Sequence, residues 1–261
     1  MSDPCIWDKI WKETKEDAEF RWWIQREERG ERGRKVISYI EEHLGKINGL
    51  KTIEVGSGMG VYSFVLAKRG AIVSLLDYSQ EALSLARKQS NSSGLTASFI
   101  CADALNLDSA MREKFDVAMS FGTIEHYRYP ERFLMAKAHV DLIKPGGVII
   151  ISIPNRWFFP EEILRLLLKL RNKWHLGYTR TFTRYELFRL GNKLGLKNIK
   201  VQGSAFITDM FRYFHIFQGT RLFRRFYLAH TNPLSSYDLA SYFDNLLGAD
   251  IFLLGCKPCR G

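Results

Sequence analysis

Cysteine is scarce in this chain of 261 residues: Cys5, Cys101, Cys256 and Cys259 are all it has. Only the last two are close in sequence, so no disulfide framework is expected, and a reducing cytoplasm is the default. No apolar run approaches the roughly eighteen residues of a membrane span. The opening stretch, MSDPCIWDKI, is acidic and aromatic, unlike a secretory signal. Internal repeats, low-complexity tracts and obvious linkers are also missing, which argues for one large domain. What is present suits a soluble globular protein: 46% hydrophobic and 25% charged residues, enough to bury a sizeable core.

Acidic residues are in deficit, 28 against 38 Lys and Arg, for a net charge of +10. The deficit is regional. Ten Lys and Arg lie between Arg165 and Lys200 against one acid, Glu186, whereas the first 35 residues hold nine of each sign. A local positive field suits an anionic acceptor, RNA or an acidic membrane surface. A solvated basic face is the other reading.

Trp7, Trp11, Ala18 and Trp22 recur at spacings of 4, 7 and 4, one face of a helix. A second helical stretch runs from Arg32 to Leu44. Short apolar runs then alternate with helical segments: KTIEV, AIVSLLD, ASFICAD, FDVAMSF and GGVIIISIP, joined later by NIKVQGSAF and ADIFLLGC. Strands alternating with helices predict parallel βαβ units. The expected fold class is α/β: a Rossmann-like, seven-stranded, mostly parallel sheet with helices on both faces. Two segments interrupt the alternation. Residues 156–181 contain PEEILRLLLKLR, with Pro160 near a helix start, early acids and later bases. Residues 208–247 are rich in Phe, Tyr and Arg. The expected organisation is one domain: a helical cap over 1–48, a cofactor-binding core over 49–155, and helical insertions at 156–181 and 208–247. Both insertions leave strands at the carboxyl end of the sheet, so both are expected to cap that end and cover an acceptor pocket.

The stretch TIEVGSGMG, residues 52–60, ends an apolar run at Val55 and then alternates Gly56, Gly58 and Gly60. In a doubly wound sheet ligands bind at the carboxyl ends of strands near a topological switch, and glycines let the backbone approach them. The spacing is G-x-G-x-G, with Val61 in the place of the third dinucleotide-fingerprint glycine. On the loop alone, NAD stays open. The neighbours narrow the choice. SLLDYSQEAL ends a second strand at Asp77, whose carboxylate can accept both ribose hydroxyls, and Ser79 is a plausible helix cap. FICADAL ends a third strand at Asp103, placed to meet an adenine amino group. KFDVAMSFGTIEHY runs from a fourth strand into a loop, and LIKPGGVIIISIPN turns into a fifth. For Glu54, Asp77 and Asp103 the structural alternative is a surface or capping acid.

This ordered set resembles the class I S-adenosylmethionine-dependent methyltransferases, and most of all the small-molecule group that includes ubiquinone and menaquinone biosynthesis enzymes. The likeness is close from Lys51 to Pro154 and looser through FTRYELFRLGNKLGLKNIKV. It implies S-adenosyl-L-methionine as cofactor and no metal. It also implies roles. Glu54, Gly56, Ser57, Gly58 and Gly60 would lie against the methionine moiety. Asp77 would bind the ribose, with Tyr78 beside the adenine. Asp103 and Ala104 would meet the adenine edge, and Ser120 and Phe121 would border the sulfonium. Residues 156–181 and 208–247 match no acceptor signature.

Methyl transfer is an in-line displacement, so alignment of the acceptor matters most. A base helps when the acceptor must lose a proton. His126, beside Glu125 in TIEHY, is the candidate base, because imidazole titrates near neutrality; packing or binding a backbone group is its alternative. Tyr127, Tyr129 and Tyr178 are candidates to line the acceptor pocket. Cys256-Lys-Pro-Cys259 is half a zinc motif with no partner pair nearby and reads as inert. His139 reads as structural. The tryptophan stripe reads as packing or as part of a lid. EEILRLLLKLR reads either as a lid or as a helix in a membrane interface. The first functional expectation is therefore methylation, on O, N or C, of a small, apolar or anionic acceptor, lipid-like included, with peripheral contact to an anionic membrane. The alternatives are an RNA (tRNA) methyltransferase using the basic 165–225 region, less favoured because no RNA-binding module is recognised, and a non-catalytic cofactor-binding protein.

Overall fold

The apolar runs form seven strands in the computed structural model, which describes residues 4–13, 18–207, 209–210 and 243–260. In chain order the strands are β1 (Lys51–Val55), β2 (Ile72–Asp77), β3 (Ala97–Cys101), β4 (Phe115–Phe121), β5 (Ile143–Pro154), β6 (Lys197–Ser204) and β7 (Asp250–Cys256). They make one sheet in the order β3-β2-β1-β4-β5-β7-β6. All neighbours are parallel except β7, which runs antiparallel to both β5 and β6. The order reverses between β1 and β4, so a crevice opens above their carboxyl ends.

The helices are α1 (Pro4–Glu13), α2 (Ala18–Arg29), α3 (Glu31–Leu44), α4 (Val61–Ala67), α5 (Gln80–Ser93), α6 (Glu131–Leu142), α7 (Phe159–Leu170) and α8 (Arg184–Lys193). The tryptophan stripe is thus divided between α1, which carries Trp7 and Trp11, and α2. Local chemistry sets several helix starts. Ser79 caps α5 by accepting from Ala82 N–H, and Thr183 with Glu186 forms a capping box on α8. None of the described helices is long and apolar enough to cross a membrane.

Interior strands buried on both faces read as continuous apolar runs, and β5 shows why. Val148 and Ile150 enter one core with Phe64, Leu75 and Met119, while Ile149, Ile151 and Ile153 enter the other with Val55, Met135 and Leu187. Pro154 at the end of β5, Asp250 at the start of β7 and Ser204 at the end of β6 stand in one row at the carboxyl edge. The segments after β5 and β6 both depart from that row. Most of the 208–247 segment, including Phe211, Tyr213, Phe214 and Phe217, lies outside the described residues.

Candidate active site

The loop after β1 is built on left-handed glycines: φ is 63° at Gly56, 51° at Gly58 and 73° at Gly60. Each glycine solves a different local problem. A Cβ on Gly60 would stand 2.1 Å from Leu75 Cδ2, so this residue lets α4 start against β2. A Cβ on Gly58 would meet the Trp11 indole at 2.7 Å, and one on Gly56 would meet Thr123 at 2.5 Å. The Gly56 and Ser57 N–H groups donate to the Leu76 carbonyl at 2.8 and 3.1 Å, which ties the loop to the end of β2.

Asp77 ends β2, only 6% exposed. Its Oδ2 accepts from Gly58 N–H at 2.8 Å and its Oδ1 from Ser79 N–H at 2.9 Å. Burial pushes its carboxyl upward, and the backbone N–H groups partly offset that. An ionised carboxylate offers about four acceptor sites, so capacity for further donors remains.

A cleft of about 210 Å³ opens over these residues. Gly56, Ser57, Gly58, Asp77, Tyr78, Ala104, Phe121 and His126 line it. Trp7 and Trp11 of α1 also line it. That helix is held by Ser79 Oγ donating to Asp8 at 2.5 Å, and by the Trp7 ring set edge-on to His126 with centroids 4.8 Å apart. Ser57 Oγ is buried and lacks a hydrogen-bond partner. Phe121 is held by Tyr62, stacked on it at 3.6 Å between centroids.

Glu54, Gly60, Asp103, Ser120 and Glu125 do not line the cleft. Glu54, 3% exposed, accepts from Ser63 N–H at 2.9 Å and Ser63 Oγ at 2.6 Å. It satisfies the first turn of α4, and burial raises its carboxyl to about 7. Asp103 is exposed, accepting from Leu105 N–H at 2.9 Å and from Asn106 Nδ2 at 3.2 Å. It closes the turn after β3, and Ala104 reaches the cleft in its place. Ser120 is fully buried inside β4.

His126 ends a short 3₁₀ turn after β4 and is 7% exposed. Its Nδ1 lies 3.0 Å from the Tyr178 carbonyl oxygen. A carbonyl only accepts, so Nδ1 carries the proton and Nε2 keeps its lone pair. Burial lowers the imidazole below its ordinary value, and the bond to Tyr178 raises it less. Glu125 Oε1 stands 3.9 Å from Nε2. Burial raises the Glu125 carboxyl to about 8, so at neutrality the two side chains form no ion pair. The 156–181 segment thus reaches the catalytic candidate: Tyr178 holds the ring, and Arg180 N–H donates to the Glu125 carbonyl at 3.0 Å. Arg132, buried in α6, bonds the Tyr127 carbonyl at 2.9 Å and the Tyr178 hydroxyl at 3.0 Å. Of the three candidate tyrosines, Tyr127 lines the cleft, Tyr178 contributes its carbonyl to His126, and Tyr129 is 77% exposed.

Thr123 and Met135 also line the cleft. No pattern in the sequence singles out either. His139 is fully buried, bonds the Met135 carbonyl at 2.9 Å and is lowered by burial to about 4. It is a neutral structural histidine. Among the described residues no His, Cys, Asp and Glu side chains are grouped to hold a metal ion.

A family profile described as a methyltransferase domain matches residues 46–182, just over half of the chain. The ubiquinone biosynthesis O-methyltransferase of Shewanella halifaxensis is 31% identical over 183 residues, which cover 68% of this chain and 77% of that protein. The enzyme of the same name from Idiomarina loihiensis is 29% identical over 174 residues, covering 65% and 71%. Among solved structures, the magnesium protoporphyrin IX methyltransferase of Synechocystis PCC 6803 with bound SAH superposes with a TM-score of 0.60 at 15% identity, over 97% of this chain and 93% of that one. The cyclase SpnF superposes with a TM-score of 0.56 at 17% identity, over 88% and 82%. Likeness at that level speaks for fold alone. With the family match and the curated relatives, the chain belongs to the methyltransferase family. It is an S-adenosyl-L-methionine-dependent enzyme of class I. The cleft fits that cofactor: Ser57 Oγ lacks a protein partner, Asp77 retains acceptor capacity, and two indoles supply an apolar roof.

Proposed function

We propose that this enzyme methylates an oxygen of a small apolar, lipid-like acceptor, with His126 as the base. When bound, S-adenosyl-L-methionine supplies an electrophilic methyl group on a sulfonium. The chain's own residues do the rest. Gly56, Ser57 and Gly58 cradle the methionine portion, Asp77 takes the ribose hydroxyls, and Tyr78 with Ala104 flanks the adenine. Phe121 borders the sulfonium side. Glu54, Gly60, Asp103 and Ser120 act as positioning residues: they fix α4, the loop, the turn at Ala104 and the strand under Phe121. His126 Nε2 receives the acceptor's proton, and Glu125, neutral at pH 7, stands beside it.

The N-terminal helices of 1–48 and the 156–181 segment form the cap, with Trp7 and Trp11 excluding water. Residues 49–155 are the cofactor core. Part of the cap assigned to 208–247 rests on residues outside those described. The acceptor class draws on the relatives, which are O-methyltransferases of ubiquinone biosynthesis.

One observation carries the reading: a single cleft gathers Gly56, Ser57, Gly58, Asp77 and His126, whose Nδ1 is engaged by the Tyr178 carbonyl. Transfer of labelled methyl from the cofactor to a panel of hydroxylated apolar aromatics, with bulk tRNA alongside, tests it. Label is expected in the small acceptors, and His126→Ala should slow it by ~10²–10⁴-fold if the hydroxyl must be deprotonated. Label confined to RNA would overturn the acceptor class.

A further inference from the structure

Asp103, expected to meet the adenine amino group, is engaged elsewhere. Its two oxygens accept from Leu105 N–H at 2.9 Å and from Asn106 Nδ2 at 3.2 Å, and it stands outside the cleft. Ala104, which does line the cleft, offers only a methyl group. A buried amino group left without a hydrogen-bond partner is costly. A polar side chain inside the cleft is therefore needed at the adenine edge.

Tyr127 has the position and the chemistry. It follows the 3₁₀ turn after β4 with an extended backbone, φ −101° and ψ 147°. Successive side chains on extended backbone turn to opposite sides. His126 accordingly meets the Tyr178 carbonyl and the Trp7 ring. Tyr127 instead joins the apolar cluster that holds Leu76 and Ala104, the neighbours of Asp77 and Asp103. Its backbone is fixed on both sides: the N–H donates to the Ile124 carbonyl at 3.2 Å, and the carbonyl accepts from Arg132 Nε at 2.9 Å. The side chain is 8% exposed and lines the cleft with Asp77, Tyr78 and Ala104. Burial, then the nearby carboxylates of Asp103 and Asp77, push its hydroxyl up to about 12, so it stays neutral. A neutral phenol accepts as well as donates.

We propose that the Tyr127 hydroxyl, in place of Asp103, accepts the hydrogen bond of the adenine amino group and so selects adenine for this cleft. Tyr127 thereby leaves the acceptor pocket and joins the cofactor site. The inference rests on the cleft as the cofactor site and not on which acceptor is methylated.

Calorimetric titration with two ligands tests this: S-adenosylhomocysteine, and its analogue in which hydrogen replaces the 6-amino group. Wild type should prefer S-adenosylhomocysteine about tenfold, the worth of one hydrogen bond to a buried group. Tyr127→Phe should bind S-adenosylhomocysteine about tenfold more weakly and the analogue as wild type does, so that the preference disappears. Asp103→Asn should keep it. An unchanged melting temperature of Tyr127→Phe reports an intact fold. The proposal is overturned by wild type that binds both ligands equally, by a preference that survives in Tyr127→Phe or vanishes in Asp103→Asn, and by a loss in Tyr127→Phe that both ligands share, which is a packing effect. Wild type that binds neither ligand overturns the cofactor site itself, and this assignment with it.

Discussion

His126 is the base of the proposed mechanism, and its ring can be tested without knowing the acceptor. It should titrate below the ordinary histidine value, because burial disfavours the imidazolium more than the Tyr178 carbonyl favours it. At pH 7 it should be the Nδ1–H tautomer, read by nitrogen-15 NMR with His126→Gln for assignment. An Nε2–H tautomer at neutral pH would remove the base from the mechanism. Other residues divide by how visible they were in the sequence. Gly56, Gly58 and Asp77 were legible as neighbours from the order of strand ends and glycines, and they line one cleft. Glu54 and Asp103 were legible as acids near the site but not in their directions. Backbone N–H groups from the first turn of α4 and from the turn after β3 claim those carboxylates. Only the local fold reveals that competition.

At the scale of elements, Trp11 of α1 lies against Gly58 of the loop. Trp11→Ala should weaken S-adenosylhomocysteine binding by uncovering the cleft while leaving the melting temperature nearly unchanged, since α1 packs at the edge of the domain. A matching loss of thermal stability would make Trp11 a core residue instead. Gly60 behaves in the opposite way. Gly60→Ala forces a left-handed alanine whose Cβ lies 2.1 Å from Leu75, so it should cost about 1–3 kcal/mol in urea denaturation. An unchanged urea midpoint would show that the loop relaxes freely. All seven strands were legible as short runs bounded by turns, most plainly the interior ones, which are apolar on both faces. The exposed stripe of α7, Phe159, Ile163, Leu166, Leu167 and Leu170, was not. Periodicity places five apolar residues on one side of a helix without saying which side meets the core, and here buried Arg165 takes the inner face.

For the whole molecule, buried ionisable groups set a pH window of stability. His139 is lowered to about 4 from an ordinary 6.5. Between those values the unfolded chain binds more protons, so stability falls as pH drops from about 6.5 to about 4. Glu54 and Glu125 are raised from 4.5 to about 7 and about 8. Their contribution is full below 4.5 and is lost as pH rises through about 7 and about 8. Thermal melts should therefore be highest near pH 4.5 and decline towards about 8, because over that range the two carboxyls outweigh the histidine. Glu125→Gln should make that decline shallower, and His139→Gln should make it steeper below about 6.5. A melt profile that is flat from acid to alkaline pH would contradict the burial of these groups as neutral species.

The most direct test of the molecule as a methyltransferase is calorimetric titration of the purified chain with S-adenosylhomocysteine, repeated with Asp77→Ala. Wild type should bind at one site. The variant, with Gly58 N–H and Ser79 N–H left unpaired and the ribose acceptor gone, should bind about 1–3 kcal/mol more weakly, or roughly tenfold to a hundredfold. Equal affinity in the two proteins, or wild type that binds NAD as well as it binds S-adenosylhomocysteine, would contradict the assignment of this cleft.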